Sequence, residues 1–81
     1  MTKTYYMNEY TRAQWHALID KAAELDLPVT YSKYGDRATI DSTALETALI
    51  MSHPRAIGTL RHDWAEKIHG MIQDAAMSVK H

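Results

Sequence analysis

An α+β fold of order β-α-β-β-α-α, with a three-stranded sheet covered by helices on one face, is what these 81 residues predict. Three observations lead there. From Pro54 to Val79 the apolar residues Ile57, Leu60, Trp64, Ile68, Met71, Ala75 and Val79 recur every three or four positions, the period of one side of a helix. Thr11 and Gln14 have the spacing of a capping box at the start of an earlier helix. Between the helical stretches, Val29 to Asp41 is rich in β-branched and aromatic residues around Gly35-Asp36, the pattern of a β-hairpin.

Taken in order, Thr4 to Tyr10 is Tyr-rich and free of Gly and Pro, and predicts the first strand. Thr11 then caps a helix in which Tyr10 packs on Trp15 as a hydrophobic staple. Its apolar stripe is Trp15, Leu18, Ile19, Ala22 and Leu25, and Pro28 requires it to end near Leu25 to Leu27. A two-residue turn at Gly35-Asp36 would set Tyr34 opposite Arg37 and Tyr31 opposite Ile40. Val29, Tyr31, Ala38 and Ile40 would then face the core, and Thr30, Ser32, Tyr34, Arg37 and Thr39 the solvent. Whether the first strand lies parallel to the second or beside the third is left open.

Asp41, Ser42 and Thr43 are candidate caps for a helix through about Met51 that buries Leu45, Ala48 and Leu49. Ser52-His53-Pro54 breaks it, and Pro54 opens the long terminal helix. The polar side of that helix carries Arg55, Thr59, His62, Glu66, His69, Gln73 and Lys80. Gly58 and Gly70 fall inside it, each costing about 1 kcal/mol relative to Ala. They mark a close approach of another backbone, or, at Gly58, a break with Thr59 capping a second helix.

A single domain spans residues 1–81, with no repeat and no linker. A chain this short buries only about 60% of its unfolded surface, so the core is thin, and self-association that buries a helix flank is one way to supplement it. There is no cysteine, hence no disulfide, thiolate site or Cys nucleophile. No apolar run approaches the roughly 20 residues needed to span a bilayer, and the first residues lack the apolar segment of a leader. A cytoplasmic protein without membrane association is expected. The net charge of −1 disfavours a general polyanion binder.

His62, Glu66 and His69 share one helix face and are competent zinc ligands, but a row along one helix spans about 10 Å and cannot converge on a tetrahedral ion. No metal and no cofactor are expected. Gly35, Gly58 and Gly70 stand too far apart for a phosphate cradle, and Ser52-His53 lacks the setting of a nucleophile. An enzyme is not expected. What remains is a non-catalytic binding protein that occludes or modulates a partner protein. Its scale is that of phage and mobile-element inhibitors or accessory proteins, an analogy from size alone. Partner contacts are assigned to Tyr34, Arg37, Arg55, His62, Glu66 and His69, because Tyr and Arg dominate interface hot spots. The alternative is a nucleic-acid-binding regulator. It would use the sheet tyrosines Tyr5, Tyr6, Tyr10, Tyr31 and Tyr34 with Lys3, Lys33, Arg12 and Arg37, or a helix-turn-helix over Ser42 to Lys67 reading with Arg55, Thr59, Arg61 and His62.

Overall fold

The computed structural model describes residues 1–53, 55 and 60–79. The expected helix start at Pro54, together with Ile57, Gly58, Thr59 and Lys80, lies outside the described residues. Strand β1 spans Thr2–Tyr6 and runs into a 3₁₀ turn at Met7–Glu9, followed by α1 at Arg12–Glu24. Strands β2 at Val29–Tyr31 and β3 at Arg37–Asp41 form the hairpin, and helices α2 at Thr43–Ser52 and α3 at Arg61–Met77 complete the α+β domain. Among the described residues no helix is long and apolar enough to cross a membrane.

The sheet order is β1-β3-β2, with β3 antiparallel to both neighbours. Both alternatives left open by the sequence therefore hold together: β1 lies beside β3 and runs in the same direction as β2. Tyr5, Ala38 and Ile40 point to the helices, where they meet Trp15, Leu18 and Ala22 of α1 and Ile68, Ile72 and Ala76 of α3. Among the described residues nothing covers the other face. Thr4, Thr39 and Thr30 stand in one row across it, with the Thr4 and Thr39 hydroxyls 3.0 Å apart.

Local signals for α1 hold in full. Thr11 Oγ1 accepts from the Gln14 N–H at 3.1 Å, Gln14 Oε1 accepts from the Thr11 N–H at 2.9 Å, and the Tyr10 and Trp15 rings lie 6.2 Å apart. The helix ends in a Schellman motif. Leu27 N–H reaches Ala22 O at 2.9 Å, Asp26 N–H reaches Ala23 O at 3.0 Å, and Asp26 takes the left-handed conformation at φ 56°. Leu27 and Ala22 are both buried, the apolar contact that accompanies this motif.

Four expectations are corrected. The first strand ends at Tyr6 rather than Tyr10, because the chain turns at Met7–Glu9 to bring Tyr10 and Thr11 to the helix start. The hairpin pairs Tyr31 with Ala38, not Ile40, so its register is two residues from the expected one. Ser32 decides this: its Oγ accepts from Arg37 N–H at 3.1 Å and donates to Asp36 at 2.6 Å, while its C=O accepts from Gly35 N–H at 3.0 Å, closing a longer loop with Gly35 at φ 72°. A shift of two preserves which side chains share a face, yet Tyr31 is 51% exposed at the margin of α1 instead of in the core. In α2 it is Glu46, not Ala48, that is fully buried.

The fourth concerns the terminal helix. Leu60 is extended and exposed, and the helix starts at Arg61. Its Arg61 guanidinium donates to Thr43 O at 3.2 Å and Thr47 Oγ1 at 2.9 Å, which clamps α3 back against the start of α2. The buried face is Trp64, Ala65, Ile68, His69, Ile72 and Ala76, rotated from the expected stripe because His69 turns inward. At Gly70 an added Cβ would meet nothing within 4 Å, so among the described residues no other backbone approaches there.

Two substitutions test this reading by thermal unfolding. Asp26→Gly removes a left-handed non-glycine residue and is expected to stabilise by about 1 kcal/mol. That corresponds to roughly 4–8 °C in Tm for a domain of this size. Gly70→Ala is expected to add about 0.5–1 kcal/mol, since the new methyl has room and a helix interior favours Ala.

Candidate functional site

Two regions carry chemistry, at opposite ends of β1. Behind the Met1 end lies a buried polar chain. Tyr5 Oη and His69 Nδ1 are 2.7 Å apart, His69 Nε2 and Ser42 Oγ are 3.1 Å apart, and the Ser42 hydroxyl donates to the Glu46 carboxylate. One proton arrangement satisfies these three contacts: Tyr5 donates to Nδ1, a neutral His69 donates from Nε2 to Ser42, and Ser42 donates to Glu46, with the Met1 carbonyl 3.1 Å from the same hydroxyl. The Glu46 carboxylate also accepts from the Met1 ammonium at 2.8 Å and lies 3.4 Å from Arg61. Ser42 sits just ahead of α2 but does not cap it with its side chain; the Asp41 carboxylate takes the Thr43 N–H at 2.9 Å instead.

The environment acts on these groups in definite directions. Burial, with the nearby Lys3 charge, holds the His69 imidazolium below its usual pKa. Burial pushes the Tyr5 phenol well above the usual tyrosine range. Burial alone would raise Glu46, but the hydrogen bonds from the Met1 ammonium and Ser42 outweigh it and bring its carboxyl below the ordinary value. The resemblance of Ser42 and His69 to a nucleophile and its base stops at composition, because the hydroxyl has no exposure and its proton is directed at Glu46. In front of this chain, a groove of about 440 Å³ runs between Met1, Thr2 and Lys3 on one side and His62, Glu66, Gly70 and Gln73 on the other.

At the far end of β1 the hairpin loop and the start of α1 gather aromatic groups. Tyr34 is 84% exposed at the loop tip, with Lys33 Nζ 5.6 Å from its ring centre. Tyr6, Met7 and Tyr31 are also exposed, and Arg37 stands opposite Tyr6 in the sheet. Two depressions, about 450 and 270 Å³, open here; they share Trp15 and His16, and continue to Met7, Tyr10 and Arg12 on one side and to Ile19, Asp20 and Tyr31 on the other.

The six residues assigned to partner contact do not form one surface. Tyr34 and Arg37 lie at the hairpin end, about 13 Å along β1 from the groove that His62 and Glu66 line. His62 Nε2 and Glu66 Oε1 pair at 2.9 Å on exposed helix, and Arg55 is exposed near the α2–α3 connection. His69 is a correction: it is 4% exposed and both its ring nitrogens are committed within the chain. Turned inward, it still lines the same groove as His62 and Glu66, but among the described residues no three His, Cys, Asp or Glu side chains are placed to share a metal ion. Arg61, expected on a reading helix, is held against α2. Sequence reasoning placed Trp15 in the apolar stripe of α1 and Tyr31 on the core face of the hairpin, and gave His16 no role. It also missed Glu46, for which the spacing Ser42-x-x-x-Glu46 at a helix start was the available signal.

No protein family, no curated protein and no solved structure matches the chain.

The polar chain dictates how stability depends on pH. His69 has a depressed folded pKa, so its contribution is present above the unfolded value near 6.5 and is lost as the unfolded state takes up a proton below it. Glu46, also depressed, adds a second loss below the unfolded value near 4.5. Tyr5, raised, costs stability above about pH 10, where only the unfolded phenol ionises. Urea midpoints measured from pH 4 to 11 are expected to peak between about 7 and 9. In His69→Gln the decline between pH 7 and 5 is expected to flatten.

Proposed function

We propose that the protein is a non-catalytic binding module that docks its hairpin end on another protein and thereby occludes that partner's working surface. The observation that carries this is that Tyr6, Met7, Tyr31 and Tyr34 are all exposed at the hairpin end of the sheet, Tyr31 on the helix side beside the two depressions at Trp15 and His16, and Tyr6 with Arg37 on the open side. Large apolar side chains held at the surface lose little conformational entropy on docking, and Tyr, Trp, Met and Arg are the residue types enriched at interface centres. The loop beneath them is braced: Ser32, Gly35, Asp36 and Arg37 are tied by four hydrogen bonds, so Tyr34 is presented from a fixed turn. Recognition of this kind needs neither a cofactor nor a metal.

Pull-down with the immobilised protein, followed by affinity measurement on the captured partner, tests it. Tyr31→Ala and Tyr34→Ala are each expected to weaken binding about tenfold or more, while Tm stays at the wild-type value for Tyr34→Ala, whose side chain is 84% exposed, and falls slightly for the half-buried Tyr31→Ala. Addition of the protein is expected to suppress the captured partner's activity. Capture of nucleic acid, with affinity falling steeply between low and moderate salt, would overturn this in favour of a polyanion-binding role.

A further inference from the structure

Among the described residues the outer edge of β1 is unpaired. Met1 C=O accepts from Ser42 N–H at 2.8 Å and Met7 N–H donates to Asp36 C=O at 2.9 Å, and both pairs belong to the β1–β3 register. Hydrogen-bonded and non-hydrogen-bonded pairs alternate along an antiparallel ladder. Lys3 and Tyr5 therefore bond to β3, while the N–H and C=O groups of Thr2, Thr4 and Tyr6 point outward. The opposite edge, β2, is only three residues long and comes directly after Pro28, a blunted edge of the kind that resists pairing. β1 is five residues long and has no proline.

We propose that a second copy of this chain pairs its β1 antiparallel with this edge, with Thr4 facing Thr4 across a two-fold axis, to form a continuous six-stranded sheet. Charge selects the register. The outward groups of Thr2, Thr4 and Tyr6 can only pair with one another, which leaves three symmetric alignments that engage more than one outward residue of each strand. Centring on Lys3 sets two ammonium groups directly opposite, a repulsive pair. Centring on Tyr5 uses only Thr4 to Tyr6. Centring on Thr4 engages all of Thr2 to Tyr6, gives roughly six main-chain hydrogen bonds and sets Lys3 opposite Tyr5 of the second copy. Lys3 already lies 5.5 Å from its own Tyr5 ring, so the same attraction continues across the axis. The groove at the Met1 end of β1 receives the incoming strand beside α3, where Gly70 leaves the wall without a side chain. On the open face the row of Thr30, Thr39 and Thr4 continues into the second copy as Thr4, Thr39 and Thr30.

Sedimentation and light scattering across the micromolar range test the pairing. The wild type is expected to approach twice 9.3 kDa with rising concentration. Thr4→Pro removes an outward N–H that β3 does not use, and is expected to raise the dimer dissociation constant about tenfold or more. Thr4→Lys and Thr4→Glu change only an exposed position, so they keep the test decisive if the proline variant fails to fold. Each is expected to be monomeric alone, with dimer regained when the two are mixed. A wild type that stays at 9.3 kDa throughout overturns the proposal. So does a dimer indifferent to all three substitutions, or a Lys and Glu mixture that remains monomeric.

Discussion

A buried carboxylate sets the terms for this fold. Glu46 has no solvent exposure, and an ionised side chain in that position is tolerable only when hydrogen-bond donors surround it. The donors come from everywhere at once: the Met1 ammonium at the start of β1, Ser42 at the end of β3, and Arg61 at the start of α3. Through Ser42 the demand passes to His69 and on to Tyr5. Four elements are thereby held in register by one polar chain. Apolar contacts such as Leu18 against Ile68 and Ile72 supply the bulk of the burial but are far less particular about position.

Much of this architecture was legible because its signals are local. The Thr11 and Gln14 capping box, the Tyr10 and Trp15 staple and the stop ahead of Pro28 involve residues within five positions of one another, and each formed as expected. Trp64 and Ile68 are buried as the helical period requires. What could not be read depends on partners distant in sequence. Nothing near His69 announces that Tyr5, 64 residues away, and Ser42, 27 residues away, will draw it inward. Glu46 looks like a helix-terminus charge until the Met1 ammonium arrives from 45 residues away. The hairpin register failed for a different reason: Gly35-Asp36 is a legitimate two-residue turn, but the Ser32 side chain outcompetes it by capping a longer one.

The same division explains the candidate surfaces. The sequence marks Tyr34 and Arg37 because residue type alone suggests contact. Tyr31 reads as a core residue and becomes a surface one only because β2 is an edge strand and α1 does not extend far enough to cover it. Trp15 is spent in part on the core and in part on the floor of two depressions, a dual use that periodicity cannot distinguish from burial. The polar chain thus ties sheet to helix toward one end of β1, and the exposed aromatic groups lie around the other.

The loop from Ser32 to Arg37 has a property rooted in alternation along a strand. Lengthening or shortening it by two residues lets β2 slide past β3 with Val29 and Tyr31 still on the helix side; a slide of one would reverse them, while Ala38 and Ile40 stay inward because β3 is also paired with β1. The tip bearing Tyr34 can therefore drift in reach by paired insertions or deletions at little cost to the body beneath. Variation in that tip, between otherwise alike chains, should come in even steps.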